Sequence, residues 1–335
     1  MFKKIVIPLI ILVVLIFLAI ILKNPGIKPA SPKKVITSFD PGQAARIEIS
    51  QQGKEIVIIR ENDKWLVATA QNYPANQEKI ADFLGKVNHL KEADIASKNQ
   101  EKHSLFQVDS IQGRRLKIYN ARNEIQADFY VGKMGPDYMS TYIRLPDASD
   151  VISVNVPLMW LASVDTRQWL DRVLFKCEAK DIAQIILRSN TITDTSSIVL
   201  SQDDKQEWSI ITPSGAACNK TVANELASAV CNINLDNVAP ITDLAVYGLA
   251  NPERSVTVVS KNAFPFTLLI GKTNETGDYY VKADSSSPEQ INRSGGFVVI
   301  VNKGVINRLN KKSEDFIPPN PTEESKKPES VEENK

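Results

Sequence analysis

The residues that could do chemistry in this chain are few, and their spacing fits none of the common reaction centres. The two histidines, His89 and His103, lie far apart and form no H-x-x-x-H pair, the spacing that sets two zinc ligands on one helical face. Serine is abundant, but no G-x-S-x-G sequence that would expose a nucleophile is present. The sequence therefore predicts no catalytic residue and no metal ligand, and we expect the protein not to be an enzyme.

Two Gly-Lys steps and acidic pairs such as Asp203-Asp204 are the remaining polar features that could form a site. Gly132-Lys133 and Gly271-Lys272 each end a predicted strand, but neither belongs to a G-x-x-x-x-G-K-[ST] sequence, whose backbone N–H groups cradle phosphates. We interpret both steps as structural turns. The acidic pair Asp203-Asp204 is typical of a solvated loop. The sequence thus predicts no cofactor.

The three cysteines form no metal-binding pattern, and their odd number excludes a fully paired disulfide framework. They are Cys177, Cys218 and Cys231. Cys218 and Cys231 flank a predicted helix, and at about 1.5 Å per residue they would lie roughly 20 Å apart, beyond the reach of a disulfide. We expect the cysteines to be buried as small apolar residues.

The aromatic residues offer candidates for binding. Trp65 and Trp208 could stack on sugars or peptides, but strand tryptophans at equivalent points are more typical of a sheet core. Trp160 and Trp169 lie in the segment that joins the two halves of the chain, and we expect them to pack between those halves. Together with Tyr247 they are the candidate residues for binding or for the interface between the halves.

The elements that would position these residues occur twice, about 140 residues apart, a period too long for a solenoid. The matched positions are Trp65 and Trp208, Asn76 and Asn219, and Gly132 and Gly271. In each copy strands lead to the tryptophan, the asparagine caps an amphipathic helix, and further strands follow. We therefore predict the α+β class, with two tandem repeats at residues 45–175 and 176–316. Each would be a mostly antiparallel sheet with the helix packed on one face.

The amphipathic helices are predicted from apolar residues at helical spacing. The inward-facing sets are Ile80, Phe83, Leu84, Val87 and Leu90 in the first repeat, and Val222, Leu226, Ala229, Val230 and Ile233 in the second. Because the two sets share apolar character while the outer residues differ, the pattern favours two copies that keep one kind of core.

The amino-terminal segment predicts a membrane anchor. Residues 5–22 carry no charged or polar side chain and would extend roughly 27 Å as a helix, close to the thickness of the hydrocarbon layer. A cleaved signal peptide is the rival interpretation, but the apolar run exceeds the usual 7–15 residues, roughly, and no A-x-A-like site follows it. We expect residues 1–23 to form a single transmembrane helix that contacts membrane lipid through residues 5–22.

The regions around the predicted repeats have biased compositions. Residues 24–44 are rich in proline and lysine, which predicts a linker, and residues 317–335 are rich in Pro, Glu, Ser and Lys, which predicts a disordered polar tail. The formal net charge of +1 argues against a nucleic-acid partner, because such proteins carry a strongly basic surface. Lysines lie on both sides of residues 5–22, and we favour the bulk of the chain outside the cytoplasm, since long domains translocate largely regardless of such charges.

Several motifs resemble those of the domain-of-unknown-function family 4340 (DUF4340). In the second repeat these are the run Tyr247-Gly248-Leu249-Ala250-Asn251-Pro252, the Gly271-Lys272 step after a strand, and Tyr279-Tyr280-Val281. In the first repeat the Lys64-Trp65 strand and the Tyr73-Pro74-Ala75-Asn76 helix entry are similar to the earlier half of the family. Phe106-Gln107-Val108 stands in place of Tyr247-Gly248-Leu249, and we expect the turn there to differ.

The resemblance implies a bacterial envelope protein with one anchor in the inner membrane and a β-rich body outside the cytoplasm. It also implies association with ABC-type transport systems similar to those of gliding motility, and it supplies no catalytic residue. We therefore expect a non-catalytic, membrane-anchored scaffold or accessory protein that binds another envelope or transporter protein. The alternative is an extracytoplasmic module that binds a sugar or peptide between the repeats. An envelope-acting enzyme is a third hypothesis, for which the sequence offers no converging polar cluster.

Overall fold

The structure is a computed structural model that describes residues 35–191, 195–213, 217–240, 243–262, 264–285 and 296–318. Its first sheet has nine antiparallel strands in the order β4-β3-β2-β1-β6-β7-β8-β9-β5. These strands are β1 Ala44–Gln51, β2 Lys54–Glu61, β3 Lys64–Val67, β4 Tyr73–Pro74, β5 Glu92–Ser97, β6 Arg114–Asn120, β7 Ile125–Met134, β8 Thr141–Arg144 and β9 Val151–Val154.

A second sheet has eight antiparallel strands in the order β13-β12-β11-β16-β17-β18-β19-β15, and a separate two-stranded sheet pairs β10 with β14. The strands are β10 Val173–Lys176, β11 Ile182–Ser189, β12 Ser197–Gln202, β13 Trp208–Thr212, β14 Asn232–Asn234, β15 Asn237–Val238, β16 Arg254–Ser260, β17 Phe266–Thr273, β18 Tyr279–Ser285 and β19 Val299–Val301. Alternation of apolar and polar residues along most of these strands places one face of each sheet in the core.

Apart from β4, an additional strand at the edge of the first sheet, the two large sheets have the same strand order, and their central strands pair in the same register. In the first sheet Ile47 on β1 pairs with Ile58 on β2 and with Ile118 on β6. In the second sheet Ile185 on β11 pairs with Leu200 on β12 and Val258 on β16 in the same arrangement. Each central strand also has a register shift near its start. The path of the chain through the second sheet therefore follows its path through the first.

Four described helices accompany the sheets: α1 Gln77–Val87, α2 Leu158–Leu161, α3 Lys220–Val230 and α4 Lys303–Leu309. The predicted caps are confirmed, because the side chain of Asn76 accepts from the backbone N–H of Lys79 and that of Asn219 accepts from Val222. In α1 the buried residues are four of the predicted set, Ile80, Phe83, Leu84 and Val87. In α3 they are Ala223, Leu226, Ala227 and Val230, while Val222 and Ala229 are only partly buried. The buried stripe of α3 thus includes two small alanines that the prediction left outside.

The predicted α+β class is wrong. The structure is mainly antiparallel β, with 41% of residues in strands and 20% in helices, so the helices are minor additions to the sheets. Among the described residues, the two longest helices, α1 and α3, have only eleven residues each, whereas strands account for a larger share of the chain. The prediction gave the helices too much weight because each one stood out by its cap and its amphipathic face.

The predicted single transmembrane helix is likewise not supported. Within the described ranges, no helix combines the length and the apolar character needed to cross a membrane. The anchor expected at residues 1–23 lies outside the described residues, as do positions 24–34 of the expected linker and positions 319–335 of the expected tail.

Trp65 and Trp208 are core residues, as predicted, and both belong to one hydrophobic cluster that extends through the two sheets. The segment between the sheets forms backbone pairings with both halves of the chain. Leu170 forms a β-bridge with Ala75 in the first sheet's half, and β10 then pairs with β14 in the second half. The connection is therefore part of the folded structure and not a free linker.

Candidate functional site

Trp169 is fully buried and packs against α1. Its ring meets the ring of Phe83 edge-on, with 5.2 Å between centroids, and its indole N–H donates to the carbonyl oxygen of Ser163 at 2.8 Å. The ammonium of Lys79 lies 5.6 Å from its ring centroid, and burial lowers the pKa of Lys79, an effect that the nearby Asp165 carboxylate opposes. Trp169 is thus a core residue whose indole N–H has a hydrogen-bond partner, and it packs the connecting segment against α1.

Trp160 lies on the surface. It is 67% exposed on α2, so the expectation that it packs between the two halves is wrong. The short helix is held by Arg114, whose Nη1 donates to the carbonyl oxygens of Met159 at 2.7 Å and Ala162 at 2.5 Å. Burial lowers the pKa of Arg114, because its guanidinium is held away from water. Trp160 is therefore a solvated aromatic on a rigid support.

Four further apolar side chains are exposed at the same end of the first sheet. Together with Trp160 they form what we call the Trp160 surface, and each is between 59% and 77% exposed. Its members are Leu105, Ile111, Tyr138, Met139 and Trp160.

Three segments bring these side chains to one end of the sheet, where β6 begins and β7 ends. The loop at residues 103–113 crosses β7, because the backbone N–H of Lys133 donates to the carbonyl oxygen of Phe106 at 3.0 Å. The hairpin at residues 135–140 continues directly from β7 into β8. The third segment, α2, contacts β7 and is bonded by Arg114, the first residue of β6.

At the same end of the second sheet the hairpin is polar, while the loop beside it has one exposed apolar residue, Val246, at 65% exposure, in the position equivalent to Leu105. The hairpin between β17 and β18 is Asn274-Glu275-Thr276-Gly277-Asp278, and the side chain of Asn274 accepts from the backbone N–H groups of Thr276 and Asp278. Since this fold accepts a polar hairpin at that position, the exposed Tyr138 and Met139 are not required by the fold. Sequence reasoning missed these residues because they lie in turns without helical or strand periodicity.

Tyr247 is buried in a small cluster of its own with Ala239, Leu249 and Val298. Its ring lies 4.3 Å from the ring of Tyr280, its hydroxyl donates to the carbonyl oxygen of Pro240, and burial raises its pKa. The structure therefore puts the three candidate residues in three environments: Trp169 in the core, Tyr247 in a satellite cluster and Trp160 in solvent.

The turn that carries Tyr247 recurs in the first half. Val108 N–H donates to the carbonyl oxygen of His103 at 2.9 Å, and Leu249 N–H donates to that of Leu244 at 2.7 Å. The central residue has a left-handed backbone both times, with φ of 56° at Gln107 and 70° at Gly248. The expectation that the two turns differ is wrong, because Gln107 takes up the conformation that glycine adopts in the second half.

The two histidines lie in different surroundings. His103 is buried, and its Nε2 lies 2.8 Å from the carbonyl oxygen of Ser149, while His89 is an exposed residue just after α1 with a φ of 59°. In the part of the chain that the structure describes, no three His, Cys, Asp or Glu side chains come close enough together to hold a metal ion.

The cysteines depart from their expected state. Cys177 and Cys231 form a disulfide, with Cα atoms 4.6 Å apart, so the expectation that the cysteines serve as small apolar residues is wrong for these two. The pairing of β10 with β14 brings them together, and Cys177 N–H donates to the carbonyl oxygen of Cys231 at 3.1 Å. Cys218 is free and half-buried, and this burial raises the pKa of its thiol.

Comparison with known proteins gives one match. A family model described as "Domain of unknown function (DUF4340)" matches residues 65–252, a stretch that starts at Trp65 and continues through the connecting segment into the second half. No curated protein and no solved structure matches the chain.

Proposed function

The chain belongs to the DUF4340 family, and from that premise we propose that it is a non-catalytic accessory or scaffold protein that binds another envelope protein. The observation that carries the proposal is the Trp160 surface. Large apolar side chains that are exposed together at one end of a sheet are typical of a protein-binding surface.

The composition of the Trp160 surface favours a protein partner. Tryptophan, tyrosine and methionine are enriched where proteins meet, and a few such anchors supply most of the binding free energy. The backbone that carries Trp160 is held in place before binding, because Arg114 donates to the carbonyl oxygens of Met159 and Ala162 on either side of it. A pre-organised anchor loses little conformational entropy on binding, which favours affinity.

We further propose that the protein lies at the outer face of the bacterial inner membrane. The uncharged sequence of residues 5–22 supports attachment to lipid. The disulfide between Cys177 and Cys231 supports a location outside the cytoplasm, since disulfides persist mainly in oxidising compartments. Attachment to the membrane would raise the effective concentration of a membrane-bound partner. By resemblance to the family, an ABC-type transporter subunit of the gliding-motility kind is the proposed partner.

The two sheets are, in this proposal, two tandem copies of one ancestral unit. Their common strand order supports it, as do the equivalent turns at Gln107 and Gly248. One copy would then have acquired the apolar Trp160 surface, while the other kept a polar hairpin at the same place.

The experiment that tests the function is cross-linking in intact cells. A photo-reactive residue placed next to Trp160, at Met159, should capture a specific membrane protein, and Trp160→Ala should abolish this capture. Phe264→Ala is the matched control, because Phe264 is also an exposed aromatic and lies outside the Trp160 surface. Equal capture by wild type and Trp160→Ala would refute the assignment of the surface.

A further inference from the structure

A cavity of about 370 Å³ lies in the second half, between the end of the second sheet and the chain that follows α4. The apolar part of its lining, which we call the floor, is made by the buried side chains of Leu187, Ile198, Val256, Ile270 and Leu309, and uncharged polar residues complete the lining: Ser189, Ser196, Ser255, Asn310 and Ser313. Its rim has four cationic side chains and one carboxylate: Arg188, Arg254, Lys311, Lys312 and Glu314. The cavity therefore combines an apolar base with an excess of positive charge.

Arg254 is the cation that faces into this cavity. It pairs with Ser189 on β11 and with Ile270 on β17, and residues paired across antiparallel strands project to the same face. Arg254 therefore shares the inner face with Ile270. The Arg254 side chain lies beside the Tyr279 ring, with 5.2 Å from its Cζ to the ring centroid. Its guanidinium has no hydrogen-bond or ion-pair partner among the residues that the structure describes.

In the first half, Arg114 occupies the position equivalent to Arg254, and its guanidinium has hydrogen-bond partners. Arg114 begins β6 as Arg254 begins β16, and its Nε donates to the side-chain oxygen of Gln51 at 3.2 Å. Its Nη1 donates to the two carbonyl oxygens at the end of α2. An inward guanidinium at this end of the sheet is thus satisfied by three oxygen atoms of its own half.

Two differences open the site in the second half. The position of Gln51 is taken by Ser189, which is too short to fill the space beside Arg254. The chain after α4 runs through Asn310 and Lys311 along the edge of the cavity, so no carbonyl oxygen there accepts from Arg254. The second half therefore leaves a cavity where the first half places peptide oxygens.

We propose that this cavity binds a small organic carboxylate. The carboxylate takes the place at Arg254 that the carbonyl oxygens of Met159 and Ala162 take at Arg114, and the carbon body lies on the apolar floor. A planar guanidinium matches a carboxylate through two parallel hydrogen bonds, which are stronger than neutral ones. The cations of the rim attract an anion. This site lies within the second half and is independent of the Trp160 surface.

The test uses the full chain and three probes in titration calorimetry: octanoate, its neutral amide and inorganic phosphate. Octanoate is expected to bind at one site per chain, and the amide and phosphate are expected to bind much more weakly. Equal binding of the amide would show that the charge is irrelevant, and equal binding of phosphate would show that the apolar floor is irrelevant. Either result, or no binding of octanoate, would overturn the proposal.

Two variants locate the site. Arg254→Gln should lower octanoate affinity by about tenfold or more, because a charged hydrogen-bond donor is lost. Arg122→Gln, the control, removes the same charge at an exposed turn and should leave affinity unchanged.

Ser189→Gln introduces the residue that the first half has beside Arg114. It should fill the cavity and weaken octanoate binding while the melting temperature stays at the wild-type value. Wild-type affinity in both Arg254→Gln and Ser189→Gln would place octanoate elsewhere and disprove the site.

Discussion

The carbonyl oxygen of Phe106 occupies the place that a side chain on Gly132 would need, since a Cβ at Gly132 would lie 2.2 Å from that oxygen. Tyr247 and Gly271 stand in the same relationship at the same distance. The residue after each glycine donates its backbone N–H to that carbonyl oxygen. Both Gly-Lys steps lie within strands, β7 and β17, so their interpretation as turns is wrong, and each marks a close contact between two backbones.

Gly132→Ala should lower the free energy of unfolding by about 1–3 kcal/mol, because the added methyl group forces the 103–113 loop away from β7. Urea unfolding measures the change. Gly85→Ala is the control: a Cβ at Gly85, inside α1, meets no atom within 4 Å. It should raise the free energy of unfolding by up to about 1 kcal/mol. Equal effects of the two substitutions would contradict the contact.

Replacing the disulfide should destabilise the second half. Cys177 and Cys231 are 54 residues apart, and loss of a crosslink that closes such a loop costs about 2–5 kcal/mol. The double variant Cys177→Ser, Cys231→Ser should therefore unfold at lower urea concentration than wild type, and reductant should shift wild type but not the variant. Cys218→Ser should respond to reductant as wild type does, because Cys218 takes no part in the bond.

Trp160 and Trp169 should respond to truncation in opposite ways. Trp169→Ala removes a fully buried side chain and should cost about 3–5 kcal/mol of unfolding free energy. Trp160→Ala should change that quantity by no more than about 0.5 kcal/mol, since the side chain is largely solvated. Parallel denaturation curves measure both. A large loss in Trp160→Ala would mean that this residue supports the fold and not a partner.

The thiol of Cys218 should alkylate slowly. Because burial raises its pKa, a smaller fraction is thiolate near pH 8 than in a solvated cysteine, and the thiolate is the reactive form. The rate of alkylation by iodoacetamide should therefore increase at a higher pH in the native protein than in the protein unfolded in urea. Identical pH profiles in the two states would contradict the effect of burial.

Sequence reasoning succeeded where the signal was local. Asn76 and Asn219 were identifiable as caps because an asparagine before an amphipathic stretch has one common role. Trp65 and Trp208 were identifiable as core residues because each lies in an alternating strand.

The rest depended on contacts between distant residues. Trp160 lies on a helix that Arg114, far earlier in the chain, holds through the carbonyl oxygens of Met159 and Ala162, and α2 is too short for its spacing to define a face. Cys177 meets Cys231 only because β10 and β14 pair, which no local pattern predicts. The cavity at Arg254 could be found only by comparing its neighbours with those of Arg114 in three dimensions.

The connection between the halves has a mechanical consequence. Leu170 is tied to the first half by its bridge to Ala75, and a few residues later the same segment is tied to the second half by β10 and by the crosslink at Cys177. A force applied to the first sheet would therefore reach the second sheet without first extending an unstructured linker.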